Sequence, residues 1–147
     1  MRDREFLAIH RGGALTKENH RLLMLWSLSC VEHVLSYLDE SYQVFLQELM
    51  KTARGWIEGS VTVGEAREAS MRAVIEARSI TDTTTCLVVR AGGHMVATAH
   101  MADHAITAGN YALKAIKAST GSPVEDERVW QNDQLPDPIK SLVLSSR

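Results

Sequence analysis

The sequence has few of the features that mark secreted, metal-binding or membrane proteins. Its two cysteines, Cys30 and Cys86, lack a CxxC or zinc-finger spacing, so reduced core thiols are expected rather than a disulfide. Residues 1–5 are charged and lead into no long apolar run, which argues against a signal peptide. No stretch of about twenty apolar residues occurs anywhere in the chain. We therefore expect a cytoplasmic protein with no membrane partner.

An excess of charge of one sign is also missing. The 16 Lys and Arg residues and 18 Asp and Glu residues leave a net charge of -2, without the basic footprint of a nucleic-acid-binding protein. Nucleic acid is therefore not an expected partner. The length of 147 residues and the hydrophobic content of 45% are typical of one globular domain. We expect a single helical domain over 1–147, with an N-terminal arm at 1–15 and short helices within 122–147.

Helical spacing of apolar residues is the main pattern in the sequence. Thr16 is a candidate N-cap for a helix reaching about Leu38, and a second helix is expected from near Ser41 until Gly59 stops it. Thr62 and Glu65 have the spacing of a capping box, which predicts the start of a third helix. Trp26 and Trp56 lie on the apolar stripes of the first two helices, so both are predicted to be buried.

The second half of the chain contains one ambiguous segment. Residues 81–89 are rich in β-branched side chains, but no partner strand is visible, so a helix is predicted there. Gly92 and Gly93 then indicate a kink, a break or a close approach of another backbone. A long helix is predicted from His94 to about Ala118, and short helices are predicted to begin at Ser122 and at Asp137. The result is an all-α array of about seven helices.

The helix predicted from His94 to Ala118 places ionisable side chains on one face. Its polar arc consists of His100, Asp103, His104, Thr107, Tyr111 and Lys114. Three interpretations are open for this arc: a solvated or helix-packing face, a surface that binds a partner, or a metal or catalytic site.

His33 is predicted to lie on the apolar face of the first helix. It is expected either to bond to a backbone carbonyl or carboxylate within the core, or to join His100, Asp103 and His104 as ligands for zinc or iron. Arg11 lies in a flexible basic turn that could bind an anion, but the turn has neither the GK[ST] nor the preceding strand of a P-loop, so a packed N-terminal arm is expected. No serine or cysteine carries a nucleophile signature, so no catalytic residue is assigned.

Several of these segments, taken in their order along the chain, resemble the Imm-5-like putative immunity proteins of bacterial polymorphic and contact-dependent toxin systems. The runs that carry the resemblance are His10-Arg11-Gly12-Gly13, Leu15-Thr16-Lys17, Glu32-His33-Val34-Leu35, Val63-Gly64-Glu65-Ala66-Arg67, residues 97–105, Tyr111-Ala112-Leu113-Lys114-Ala115, Trp130-Gln131 and Gln134-Leu135-Pro136.

The resemblance implies a protein that binds a cognate toxin stoichiometrically and blocks its action, and it does not determine which face binds. Arg11 and Tyr111 are candidate surface residues. The resemblance implies no catalytic residue and no cofactor. Two alternatives stay open. One is a metal-binding protein or metal-dependent enzyme built on the His and Asp cluster. The other is a structural module whose small residues, such as Gly92, Gly93 and Ala97, pack against a second copy to form a homodimer.

Overall fold

The computed structural model describes residues 3–147, so Met1 and Arg2 of the charged N-terminal segment lie outside the described residues. Within that range the chain forms seven α-helices and no strand, which confirms the predicted all-α array. None of the described helices combines the length and apolar character that crossing a bilayer requires. The helices are α1 (Lys17–His33), α2 (Glu40–Glu58), α3 (Val63–Arg78), α4 (Thr83–Ala97), α5 (His104–Thr120), α6 (Glu125–Asp133) and α7 (Asp137–Leu144).

Local capping residues set most of the boundaries in the first half. The Thr16 hydroxyl accepts a hydrogen bond from the backbone of Asn19, and Thr62 and Glu65 satisfy each other's backbone N–H groups in the predicted capping box. Gly59 ends α2 in the left-handed conformation, at a φ of 88°. The predicted end of α1 near Leu38 is wrong, because α1 stops at His33 and a short 3-10 turn follows.

The boundaries of the C-terminal helices agree less well with their predicted caps. The segment from Thr83 is helical, as predicted, and α7 begins at Asp137. The predicted N-cap at Ser122 is wrong, because α6 begins at Glu125. Val124 occupies the N-cap position, and its side chain makes no capping hydrogen bond. The residues around Ser122 instead complete the turn after α5, where Gly121 adopts a φ of 70° and the Ser122 amide donates to the Thr120 hydroxyl.

The long helix predicted from His94 to Ala118 is two helices. α4 ends at Ala97, and the chain reverses through residues 98–103 before α5 begins at His104. No Gly or Pro marks this break in the sequence. The carbonyl of Thr98 instead accepts a hydrogen bond from Nε2 of His20 on α1, at 2.6 Å. A contact between distant parts of the chain therefore satisfies a carbonyl group that helix termination leaves open.

The core is built around α4, which packs against α5, α3, α2 and α1. Gly92 and Gly93 allow this close packing: a Cβ atom on Gly92 would lie 2.6 Å from Leu46 Cδ1, and one on Gly93 would lie 3.0 Å from Ala73 Cβ. Of the three alternatives predicted at these glycines, a break does not occur, because α4 continues to Ala97, and the nearest neighbours are the Leu46 and Ala73 side chains rather than another backbone. Both glycines and Ala97 are buried within the chain, which corrects the expectation that they face a second copy.

The two tryptophans predicted to be core residues differ in their burial. Trp26 is 1% exposed, and its prediction is confirmed. Trp56 is only half-buried at the edge of the larger core cluster, where its ring lies against that of His20, so its full burial was wrongly predicted. Both cysteines are free thiols, and burial raises the pKa of Cys30 so that it stays protonated in the core.

Candidate functional site

A pair of histidines marks the point where α4 and α5 come together. Nδ1 of His94 lies 2.9 Å from Nδ1 of His104. One of these nitrogen atoms must carry a proton and donate it to the other, because two bare or two protonated nitrogens would repel. The contact therefore holds the two rings in opposite tautomers or shares one extra proton between them.

Aromatic contacts fix the orientation of this pair. Tyr111 on α5 stacks on His94 with ring centroids 5.2 Å apart. Nζ of Lys114 lies 4.9 Å from the centre of the Tyr111 ring. The ring of His100 lies near that of His104, at 5.4 Å between ring centroids. The pair therefore contacts one ring from the α4–α5 turn and one from α5.

The charge state of His94 follows from its surroundings. Burial lowers the pKa of His94 below its usual value, and the positive charge of Arg90 lowers it further. A lowered pKa favours the neutral ring at neutral pH. His94 is therefore best suited to hydrogen bonding rather than to carrying a fixed charge.

A cavity of about 300 Å³ opens beside the pair, between α3 and α4. Arg67 and Arg90 are its two permanently charged side chains, and its apolar part includes Met71 and Val74. The full lining consists of Arg67, Ser70, Met71, Ala73, Val74, Arg90, Gly93, His94, Ala97, His100 and His104.

Two further cavities continue the first across the surface. The second, of about 350 Å³, shares Arg67 and His100 with the first, and the third, of about 320 Å³, shares His10 and His20 with the second. We call these three adjoining cavities the basic groove. The second cavity is lined by Phe6, Leu7, Ala8, His10, Arg11, His20, Val63, Arg67, Ala99, His100, Met101 and Ala102. The third cavity is lined by His10, Lys17, His20, Arg21, Trp56, Gly59, Val61, Thr62, Val63 and Ala99.

His20 lies between the second and third cavities. Its Nε2 donates to the Thr98 carbonyl, and its ring contacts Trp56 with centroids 4.8 Å apart. Burial lowers the pKa of His20, and this effect is larger than the opposing effect of the Thr98 hydrogen bond. His20 thus links the wall of the groove to the turn that carries His100.

The charge of the basic groove differs from that of the chain as a whole. Among the described residues that line it, no Asp or Glu occurs, although the chain has 18 acidic residues. The positively charged lining residues are Arg11, Lys17, Arg21, Arg67 and Arg90, and all histidines of the chain except His33 also line it. A net charge of -2 therefore conceals a cationic groove, and the 18 acidic residues of the chain lie outside its lining.

The structure separates His33 from the other residues that the sequence grouped together. His100 and His104 meet in the first cavity, but Asp103 lies just before α5 and does not line the three cavities. His33 is not in the core: its side chain is 41% exposed, its Nδ1 lies 2.7 Å from Glu127, and its ring stacks on Trp130. The prediction that His33 lies on the buried apolar face of α1 is therefore wrong. His33 is the last residue of α1, and its side chain contacts α6 instead of the core.

The remaining candidates have distinct places. Arg11 lines the second cavity, and Tyr111 is a half-buried support for His94 rather than an open surface residue. Over residues 3–147, no group of three or more His, Cys, Asp or Glu side chains is arranged to hold a metal ion. The predicted convergence of His33 on the α4–α5 cluster therefore does not occur.

Sequence reasoning missed Arg67, Arg90, His94 and His20 as members of one site. Arg67 and Arg90 are far apart in sequence, and their convergence depends on the packing of α3 against α4. One signal was present: no acidic residue occurs between Asp82 and Asp103. That stretch supplies the lining of the groove from α4 and the following turn.

Comparisons with known proteins give one match. Searches of curated proteins and of solved structures each returned no match. A search of protein families matched residues 13–138, which include all of α1 to α6 and the first residues of α7. The matched residues cover most of the chain, and the resemblance seen in its short motifs is therefore confirmed. The chain belongs to the family described as "Imm-5 like putative immunity protein".

Proposed function

We propose that this protein binds a cognate bacterial toxin in the cytoplasm of the producing cell and neutralises it as a stoichiometric complex. Membership of the immunity protein family over residues 13–138 is the observation that carries the proposal. Inhibition by binding needs a stable surface rather than a catalytic centre. The helical array around α4 supplies such a rigid scaffold.

One helix face has the composition expected of a protein interface. On α3, Val63, Arg67, Met71 and Ile75 recur every fourth residue and form one row. The three apolar side chains of the row are 46%, 55% and 61% exposed in that order. Arg and Met, both present in this row, are among the residue types enriched at protein interfaces. This row, which we call the α3 row, supports a binding function.

The available surface is sufficient for a stable complex. The chain exposes 7834 Å², and a standard interface takes roughly 800 Å² from each partner. A toxin would therefore cover about a tenth of this surface. The α3 row together with its adjoining cavities provides an anchor region within such a footprint.

Co-expression tests the proposal directly. A toxin encoded next to this gene is induced in a bacterial host with and without the protein, and survival and complex mass are measured. We expect survival only when the protein is present, and a one-to-one complex on size exclusion with light scattering. The destabilised Trp26→Ala variant serves as a control that should lose protection. Toxin killing that the native protein does not reduce, together with no complex, would refute the function.

A further inference from the structure

We propose that the basic groove is the docking site for an acidic, extended segment of the protein partner. This inference rests on the proposed function, because it identifies the part of the toxin that the protein would recognise. Its basis is charge segregation: the described lining residues carry Arg11, Lys17, Arg21, Arg67 and Arg90 and not one carboxylate.

The absence of acidic lining residues distinguishes the groove from an ordinary solvated face. On such faces both signs of charge are interspersed, as in the Arg54–Glu32 pair elsewhere on this protein. Cations gathered without carboxylates repel each other, and this repulsion opposes folding. A ligand that supplies negative charge would remove it. Charge complementarity therefore favours an acidic occupant.

The shape of the groove favours a polypeptide over a small anion. Its three cavities adjoin through shared residues and run from the α4–α5 turn past α3 to the ends of α1 and α2. A small anion would fill one cavity, whereas an extended segment places side chains along all three. The apolar lining at Met71, Val74 and Val63 also suits apolar side chains between acidic ones. Membership of an immunity protein family favours a protein over a nucleic acid as the occupant.

A peptide probe tests the inference without the toxin. The probe is a fluorescein-labelled peptide of about ten residues, alternating Glu and Leu, with a Gln and Leu peptide as its uncharged match. Binding to the full chain is measured by fluorescence anisotropy at about 50 mM salt, where surface charge is weakly screened. We expect saturable one-to-one binding of the Glu peptide, and at least about tenfold weaker binding of the Gln peptide.

Two variants with equal charge change localise the binding. In Arg67→Glu/Arg90→Glu both changes lie in the groove, whereas in Lys51→Glu/Arg72→Glu both lie on exposed positions outside its three cavities. We expect the groove variant to bind the Glu peptide at least about tenfold more weakly, and the outside variant to change binding less than about twofold. Circular dichroism and thermal melting check folding, and Arg67→Gln/Arg90→Gln replaces the groove variant if it does not fold.

Three outcomes would overturn the inference. Equal weakening by both variants would indicate a general charge effect rather than a site. Equal binding of the Glu and Gln peptides would remove charge recognition, and tighter binding of a single-stranded oligonucleotide of similar length would indicate a nucleic-acid groove. Displacement of the peptide by citrate at low micromolar concentration would indicate a small-anion site.

The co-expression assay separates this inference from the proposed function. If the native protein gives no protection from the toxin, the proposed function fails, and the peptide measurements still decide whether the groove binds acidic chains. If the groove variant protects as well as Lys51→Glu/Arg72→Glu, the groove is not the docking site and the proposed function stands. Loss of protection confined to the groove variant supports both.

Discussion

Two regions of the molecule bring polar side chains against the apolar core, and they do so in opposite ways. The first, which we call the Trp26 cluster, consists of Trp26 on α1, Gly109 on α5, Gln131 on α6 and Arg147. Its hydrogen bonds are made within the protein. The second is the basic groove, whose charged groups face an open concave surface.

The Trp26 cluster is a network of internal hydrogen bonds. The indole N–H of Trp26 donates to the Gln131 carbonyl at 2.8 Å, and Nε2 of Gln131 donates to the Gly109 carbonyl at 3.0 Å. A nitrogen of the Arg147 guanidinium donates to Oε1 of Gln131 at 2.6 Å, and the guanidinium lies 5.3 Å from the centre of the Trp26 ring. Gln131 is fully buried. Because its amide is satisfied internally, this cluster stabilises one arrangement of α1, α5 and α6.

The contrast shows how polar groups near a core divide between stability and binding. The Trp26 network gains stability from its own hydrogen bonds, which occupy the Trp26 indole and the Gln131 amide. Within residues 3–147, Nε of Arg147 has no hydrogen-bond partner, and Arg147 also lines a separate cavity of about 390 Å³. An open cationic groove contributes repulsion in the unbound protein, and its charges are available to a partner. Substitutions in the two regions should therefore change different measured quantities.

The largest effect on stability is expected from Trp26→Ala. Deleting this side chain leaves a cavity and removes the donor to Gln131, which should lower the free energy of unfolding by about 3–5 kcal/mol. Urea titration followed by circular dichroism measures the loss. Trp56→Ala is the matched variant, and it should cost clearly less because Trp56 is half-buried. Equal losses would mean that the Trp26 cluster has no special role.

Gln131→Leu should have the next largest effect. The replacement has a similar volume but removes the side-chain donor to the Gly109 carbonyl and one of the acceptors of the Arg147 guanidinium, which keeps Asn132 and Asn110, at a cost of about 1–3 kcal/mol. Thermal melting at fixed pH measures this change. The exposed Gln134 nearby provides the control, since Gln134→Leu should stay within about 0.5 kcal/mol of the native protein. If the Gln131→Leu protein is as stable as the native protein, the network does not contribute to the free energy of unfolding, and its role is limited to selecting one arrangement of α1, α5 and α6.

Acid should lower the free energy of unfolding by a smaller amount, through two histidines that line the groove. The pKa values of His94 and His20 are lowered by burial, so the folded protein binds fewer protons than the unfolded chain. The contribution of these two histidines to the free energy of unfolding is therefore complete above the usual histidine pKa of about 6.5 in the unfolded chain. This contribution is lost as the pH falls towards the lowered pKa values of the folded protein. His94 faces Arg90, His104 and Tyr111.

Chemical denaturation at several values between about pH 7 and pH 5 tests this expectation. The native protein should lose stability over this range, and the loss should be shallower in His94→Gln/His20→Gln. An equal slope in the two proteins would mean that other groups control the acid response.

The smallest stability change is expected in the groove variant Arg67→Glu/Arg90→Glu. Because it relieves repulsion among the groove cations, its free energy of unfolding should lie within about 0.5 kcal/mol of native, on the stabilising side at low salt. Urea titrations at low and high salt measure the difference, which screening should reduce. A loss as large as that of Gln131→Leu would place these arginines among the structural residues and remove the contrast between the two regions.

The sequence predicted those parts of the fold that depend on neighbouring residues. Thr16, the capping box of Thr62 and Glu65, and Gly59 act through hydrogen bonds or dihedral angles within a few residues, so their boundaries agreed with the structure. The prediction failed where a distant partner decides the outcome. The break after Ala97 is stabilised by His20, which is 78 residues away from Thr98.

The same division holds for the candidate site. The resemblance to the family could be seen in short motifs, and His100 and His104 were identified from their spacing. The sequence alone determined the all-α class, the main caps and the family, because helix periodicity and capping are local properties. Only the tertiary structure decided that α4 and α5 are separate helices and that His33 stacks on Trp130 away from the other histidines. It also decided that Arg67 and Arg90 share a cavity, because convergence of distant residues depends on how helices pack and not on the order of residues within them.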